Sequence, residues 1–367
     1  MVKLINCDID VFCKKTENKR LVCFGAGARF DDFCKKYGEI EHCFEKKIAA
    51  IVDNNKDLHG TFKNINRINI PIISFEDLIK NSNNISIVIS NTLYFDEILS
   101  QLDNEPTFDG IDCYISIMIE NYRTKGNKIN FTKGEQYKIP KTIHYCWFGG
   151  NPVPAHLQEF MKSWSKFCPN YEIIKWDESN YDITKNQYMK QAYEAKMWAF
   201  VSDYARLDII YNHGGIYLDT DVELLKSLDD LLYDDMFCGF EKNGLIAFGL
   251  GFGAIRGHRI VKDVINKYSN LSFINSDGSL NLTPCPIYQS EAIKENGFEL
   301  INKYQNISGV AVYPIEVLSP KSYYGFDNSF TENTYSIHHY DASWVNQDKL
   351  KKARRIGEII KNRCILC

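Results

Sequence analysis

Nowhere in its 367 residues does the chain hold an apolar run of about 18 residues, the length a membrane-spanning helix needs. Its opening, MVKLINCDID, has no apolar core of the kind a secretory leader carries. The expected location is therefore the cytoplasm. An excess of positive charge is missing too. Lys and Arg number 43 against 47 Asp and Glu, a net charge of −4, which excludes the broad basic field of a nucleic-acid-binding surface. Cysteine is plentiful, at 12, but it lacks pattern. Only Cys364 and Cys367 form a C-x-x-C, and no second pair completes a zinc site. Reduced thiols in a reducing compartment are the expectation. What is left, 44% hydrophobic and 25% charged residues, is an ordinary soluble globular composition long enough for two domains. Nothing in it sets an oligomeric state.

One stretch organises the rest: Ala199–Glu223, AFVSDYARLDIIYNHGGIYLDTDVE. Ala199, Asp203, Arg206 and Ile210 step by four, three and four residues, so they share one helical face. Gly214 and Gly215 supply the left-handed exit that ends a helix. Ile216-Tyr217-Leu218 then begins a strand, along which alternation makes Asp219 and Asp221 project together, with Glu223 as a third candidate. Two carboxylates side by side repel unless a proton or a cation lies between them. Asp-Thr-Asp offers hard oxygen ligands and neither nitrogen nor sulfur, which suits Mg²⁺ or Mn²⁺. The competing reading is a solvated acidic turn, because a bare D-x-D is common. Asp203 and Arg206, taken alone, are a weak i,i+3 surface pair.

The pattern Ser202-Asp203-x-x-Arg206…Gly214-Gly215-x-Tyr217-x-Asp219-x-Asp221 resembles the sugar-transferase family with a D-x-D motif. That family includes the yeast initiating α-1,6-mannosyltransferase, bacterial capsular-polysaccharide glycosyltransferases and, more distantly, the clostridial glucosylating toxins. Two further segments carry the likeness, Ile139-Pro140-Lys141-x-Ile143-His144-x-x-Trp147-x-Gly149-Gly150 and Tyr335–Trp344, YSIHHYDASW. The resemblance covers about residues 139–344. It implies an α/β, GT-A-like catalytic domain that uses a nucleotide sugar with Mn²⁺ or Mg²⁺, a UDP-hexose being favoured over GDP-mannose, and that retains anomeric configuration. The acceptor it implies is a hydroxyl of a surface or capsular polysaccharide or of its lipid-linked precursor.

Residue by residue, the resemblance implies that Asp203 accepts from donor-sugar hydroxyls and that Arg206 contacts the sugar or diphosphate. Trp147 would stack on the nucleotide base. Asp219 and Asp221 would hold the metal, joined by Asp341 and one of two adjacent histidines. Adjacent strand residues point to opposite sides, so the choice between His338 and His339 is open on sequence alone; His339 is taken as the ligand. Ser343 and Trp344 would close over the diphosphate. His144 reads as a structural, hydrogen-bonded histidine.

Before this region, Leu21–Phe24, Gly25-Ala26-Gly27, a helical pattern holding Phe30, Phe33, Cys34 and Tyr37, and Ile48–Val52 ending at Asp53 make a β-loop-α-β order. That is a Rossmann-like unit, with strands also expected at 85–90 and 113–119 and a capped helix starting at Ser74. Gly25, Gly27 and Asp53 are its candidate ligand residues, although the third glycine position holds Phe30. A docking or structural unit that kept its turn glycines is the competing reading. The expected division is an accessory domain over 1–130, a polar linker over 121–138, and a catalytic domain over 139–367 ending in a basic helix. Lys349–Arg363 puts Leu350, Ala353, Gly357 and Ile360 on one face, a candidate for peripheral contact with the inner face of a membrane.

Two rival functions have a basis in the residues. The first unit could bind NAD and carry nucleotide-sugar oxidoreduction or epimerisation, against which stands the missing third glycine. A non-catalytic sugar-nucleotide-binding assembly protein would bind without turnover.

Overall fold

The computed structural model describes residues 1–367 apart from 8, 41–43, 121–128, 325–329, 342–346 and 367. It is α/β throughout, in two compact units: Met1–Arg123 with Tyr324–Phe326 and Gln347–Cys367, and Thr124–Tyr323 with Asp327–Asn346.

The first unit is built on an eight-stranded sheet. From edge to edge the strands are Ile365–Leu366, Lys3–Asn6, Asp112–Ile115, Ile85–Ile89, Arg20–Phe24, Ile48–Val52, Ile68–Ile73 and Phe62–Ile65. All neighbours are parallel except the last pair, a hairpin. Both faces are covered, as parallel sheets require. Val22 and Phe24 pack with Ile87 and Ile89 in one cluster, while Leu21 and Cys23 pack with Val88 and Tyr114 in another. The Ser74 cap is present: its side chain accepts from the Asp77 amide and opens the helix Phe75–Lys80. The strand expected over 113–119 is shorter. It ends at Ile115, and Ser116–Glu120 turns into a helix.

The C-terminal segment departs most from expectation. The helix Gln347–Arg363 belongs to the first unit, not the second. Its strand continuation, Ile365–Leu366, adds in parallel to Lys3–Asn6. Ala353, Ile356 and Ile360 are buried, the last two in the same cluster as Val22 and Ile87. The apolar stripe named as a candidate for membrane contact is thus packed inside the protein. Burying it there removes apolar area from water, at about 25 cal/mol per Å², without a membrane. Of the expected linker, residues 121–128 lie outside the described residues, and the remainder is anchored to the second unit. Ile129 is buried, Phe131 packs against Tyr313 and Tyr335, and the Lys138 and Ile139 amides donate to the Leu232 carbonyl.

The second unit has a seven-stranded mixed sheet in the order Gln305–Ile307, Val310–Tyr313, Met236–Gly239, Phe252–Ala254, Gly215–Tyr217, Thr142–Cys146, Glu172–Trp176. Thr142–Cys146 lies parallel to both of its neighbours, and Phe252–Ala254 runs antiparallel to Gly215–Tyr217. The helix Trp198–His213 packs on this sheet through Val201, Ala205, Leu207 and Ile210. It ends at Gly214, φ 69°, as the double glycine predicts. Val222–Leu224 leaves the sheet and forms a separate two-stranded ladder with Ser336–His338.

Candidate active site

Asp219 and Asp221 do not lie on one strand. The strand ends at Tyr217, and the chain turns, with the Val222 amide donating to the Asp219 carbonyl at 3.0 Å. The two carboxylates meet because the turn folds them together. Glu223, expected as a third member, points elsewhere.

The antiparallel ladder registers Val222 opposite His338, which delivers the C-terminal histidine segment to the turn. His338 Nε2 lies 3.2 Å from Asp221 Oδ1 and 3.9 Å from Asp219 Oδ2. One ligand atom from each of Asp219, Asp221 and His338 can be chosen so that all lie within 4.8 Å of one another. His339, the histidine taken as ligand on sequence, faces away. Its ring stacks on Phe160 at 3.8 Å between centroids, and its Nε2 is 2.8 Å from Glu223 Oε2. Strand alternation is the reason: one of two adjacent histidines has to turn outward. Asp341 approaches the pair by its backbone. Its amide donates to Asp221 Oδ2 at 2.8 Å, while its own carboxylate is 2.8 Å from His156 Nε2. Ser343 and Trp344 lie outside the described residues.

Electrostatics ties the cluster together. Burial is the largest single influence on His338 and Asp221 and disfavours charge on both. It is outweighed by the sum of the opposing attractions and hydrogen bonds, from Asp221 and Asp219 on the imidazole and from His338 and the Asp341 amide on the carboxylate. The imidazole is held well above its ordinary value, and the Asp221 carboxyl is held below its own. A cation meeting these groups competes with the imidazolium proton.

Asp203 and Arg206 are buried, at 7% and 4% exposure, so they are not a surface pair. Arg206 Nη2 reaches Asp203 Oδ1 at 3.1 Å and Asp219 Oδ1 at 3.3 Å. The guanidinium lies over the Tyr217 ring, and the Tyr217 hydroxyl donates to Asp219 Oδ1 at 3.0 Å. Burial pushes the Asp203 carboxyl up, with Arg206 pulling against it. Gly249 presses on this arrangement: a Cβ there would sit 2.3 Å from Asp219 Oδ2 and 3.2 Å from Arg206 Nη1. Gly249 therefore has no side chain because charged groups occupy the space a Cβ would need, while Gly253 leaves room for the Phe237 ring.

His144 is structural. Its Nε2 donates to the Gly214 carbonyl at 3.0 Å, and its Nδ1 accepts from Trp176 Nε1 at 3.0 Å. Burial pushes it down to about 4, so the ring is neutral. Trp147 is half-buried, and its indole N–H donates to the Asn151 carbonyl at 2.6 Å. Beside it an open hollow is lined by Gly149, Asn151, Glu178, Tyr193, Lys196 and Trp198. Gly149 lies flat on the Trp198 indole. Trp198 and the anchors His156 and Phe160 escaped the sequence reading. They sit within amphipathic helical patterns, where nothing separates them from core or surface residues.

In the first unit, Asp53 turns inward on its own loop. Its Oδ2 accepts from the Ala26 amide at 2.8 Å and its Oδ1 from the Asn55 amide at 2.9 Å. Gly25 backs onto Asn91, where a Cβ would lie 2.7 Å from the Asn91 Cβ, and Gly27 begins the turn before the helix Ala28–Ile40.

Residues 154–238 match the family described as a glycosyltransferase sugar-binding region containing a DXD motif. Among curated proteins, the chain is 29% identical over 168 residues to inositol phosphoceramide mannosyltransferase 3 of Schizosaccharomyces pombe, covering 42% of this chain and 45% of that protein. It is 31% identical over 98 residues to the mannosyl phosphorylinositol ceramide synthase SUR1 of Saccharomyces cerevisiae, covering 26% and 25%. The match thus spans less than half the length of these relatives. Among solved structures, the PaToxG glycosyltransferase is similar at 15% identity and a TM-score of 0.36, over 43% of this chain and 69% of that one. Asp203, Arg206, Asp219 and Asp221 all fall within the segment, residues 154–238, that matches this DXD-motif family.

Proposed function

We propose that the chain is a metal-dependent glycosyltransferase that moves a hexosyl unit from a nucleotide sugar to an acceptor hydroxyl. The observation that carries this reading is the convergence of Asp219, Asp221 and His338 beside the buried Asp203–Arg206 pair. Two carboxylates and an imidazole fit a divalent cation, and the nitrogen ligand favours Mn²⁺ over Mg²⁺. Bound there, the ion would neutralise a diphosphate and polarise it as a leaving group. Arg206 adds fixed positive charge on the same side, where negative charge develops as the sugar departs. Asp203, buried and oriented by Arg206, accepts hydrogen bonds from sugar hydroxyls. The hollow lined by Gly149, Asn151 and Trp198, beside Trp147, takes the base, whose flat face suits aromatic side chains.

A UDP-hexose is the favoured donor. The names of the mannosyltransferase relatives make a mannosyl donor the second choice. The acceptor proposed is a surface or capsular glycan or its lipid-linked precursor, reached from the cytoplasmic side. The transfer proceeds with retention, the departing phosphate taking the acceptor proton on the same face.

Nucleotide release from a panel of UDP- and GDP-sugars, with Mn²⁺ and with EDTA, tests the proposal. Release from one donor that EDTA removes supports it and names the sugar. Silence across the panel, with no metal-dependent UDP or GDP binding, would overturn it. An inverted product by NMR would overturn the stereochemical part alone.

A further inference from the structure

The helix Cys285–Glu295 is absent from the roles assigned above, yet one of its faces touches two walls of the site. Its first residue, Cys285, receives a hydrogen bond from Arg206 Nη1 at 3.8 Å to Sγ. The same thiol neighbours the Asp203 carboxylate closely enough that the carboxylate pushes the thiol up and the thiol holds the carboxylate down. One turn on, Gln289 is fully buried, and its Oε1 accepts from the Phe248 amide at 2.9 Å. Phe248 leads directly into Gly249, which packs against Asp219 and Arg206. Residues four apart share a helical face, so Cys285 and Gln289 hold two separate walls from one surface.

We propose that Cys285 is a positioning residue whose thiol bridges Asp203 and Arg206 and fixes the angle at which they meet the transferred sugar. The claim rests on the glycosyltransferase reading for its consequence, though not for the bridge itself. Asp203 and Arg206 are neighbours on one helix, and Arg206 Nη2 also reaches Asp219 at 3.3 Å, so the salt bridge alone leaves the guanidinium free to shift between the two carboxylates. A thiol accepting from one and donating to the other removes that freedom. A hydroxyl reproduces both bonds, and a valine of similar bulk reproduces neither.

Two measurements test the bridge and its consequence. The first is the alkylation rate of Cys285 in the folded protein, followed by peptide mass spectrometry with iodoacetamide. Arg206 favours the thiolate while burial and Asp203 oppose it. Asp203→Asn should therefore speed alkylation by about fivefold or more, and Arg206→Gln should slow it. Equal rates in all three proteins would overturn the bridge. The second is steady-state turnover. Cys285→Ser should keep kcat within about threefold of the parent, whereas Cys285→Val should lose about tenfold or more in kcat with donor KM nearly unchanged. A valine variant that matches the parent in kcat would overturn the positioning role. If the parent enzyme releases nucleotide from no donor, the proposed function falls, while the alkylation rates still decide whether Cys285 couples to Asp203 and Arg206.

Discussion

His338 Nε2 stands 3.2 Å from Asp221 Oδ1, because the ladder that registers His338 opposite Val222 brings the C-terminal segment back onto the D-x-D turn. The adjacent His339 is turned to Phe160 and Glu223. His338→Ala should weaken Mn²⁺ binding by about tenfold to 100-fold, whereas His339→Ala should weaken it far less. Titrating Mn²⁺ against each variant by calorimetry decides between them. The reverse order would return the ligand role to His339.

Asp221 is buried and bonded on both carboxylate oxygens. Asp221→Asn keeps its volume and removes its charge, so turnover should vanish while the thermal transition stays within a few degrees. Donor turnover near that of the parent would remove Asp221 from the site.

Gly249 has no room for a methyl group beside Asp219 and Arg206. Gly249→Ala should displace the Asp219 carboxylate and lower kcat by about 100-fold, the scale of an ångström-sized misplacement. Circular dichroism should show the fold retained. Full activity would mean that Asp219 moves aside without consequence.

His144 makes both of its hydrogen bonds only as the neutral ring, and burial lowers it from the ordinary 6.5 to about 4. The unfolded chain therefore binds a proton that the folded chain refuses between those values. The stability this group contributes is complete above pH 6.5 and falls as the pH drops toward 4, by about 3 kcal/mol in all. Urea unfolding of the parent and of His144→Gln at pH 7, 5.5 and 4 should show the gap between them narrowing with acid. A gap that is constant over this range would refute the assignment.

Ile360 is 2% exposed within the core of the first unit. Ile360→Ala should cost about 3 kcal/mol in urea unfolding. A change near zero would mean that this face of the helix is not packed in the core.

The local signals were legible where one segment sufficed. The helix over Trp198–His213, its glycine stop, the Ser74 cap and the buried strands of both sheets follow from spacing, φ requirements and apolar runs. Asp219 and Asp221 do lie together, though not by the local geometry that the sequence suggests. Alternation along a strand predicts that Asp219 and Asp221 point together, but a turn is what joins them. The basic C-terminal helix was legible as amphipathic, yet amphipathicity states only that one face must be covered and does not say by what.

The sequence by itself determined the chemistry available here: two carboxylates two residues apart, an Asp–Arg pair on one helical face, and a double histidine far downstream. Those follow from residue type and local period. Tertiary structure alone decided which histidine meets the carboxylates, that Asp203 and Arg206 are buried, that Cys285 touches both, and that the last helix closes the first unit. Each depends on the register between segments distant in sequence. Register is set by which whole faces must be buried together, a condition no single stretch contains.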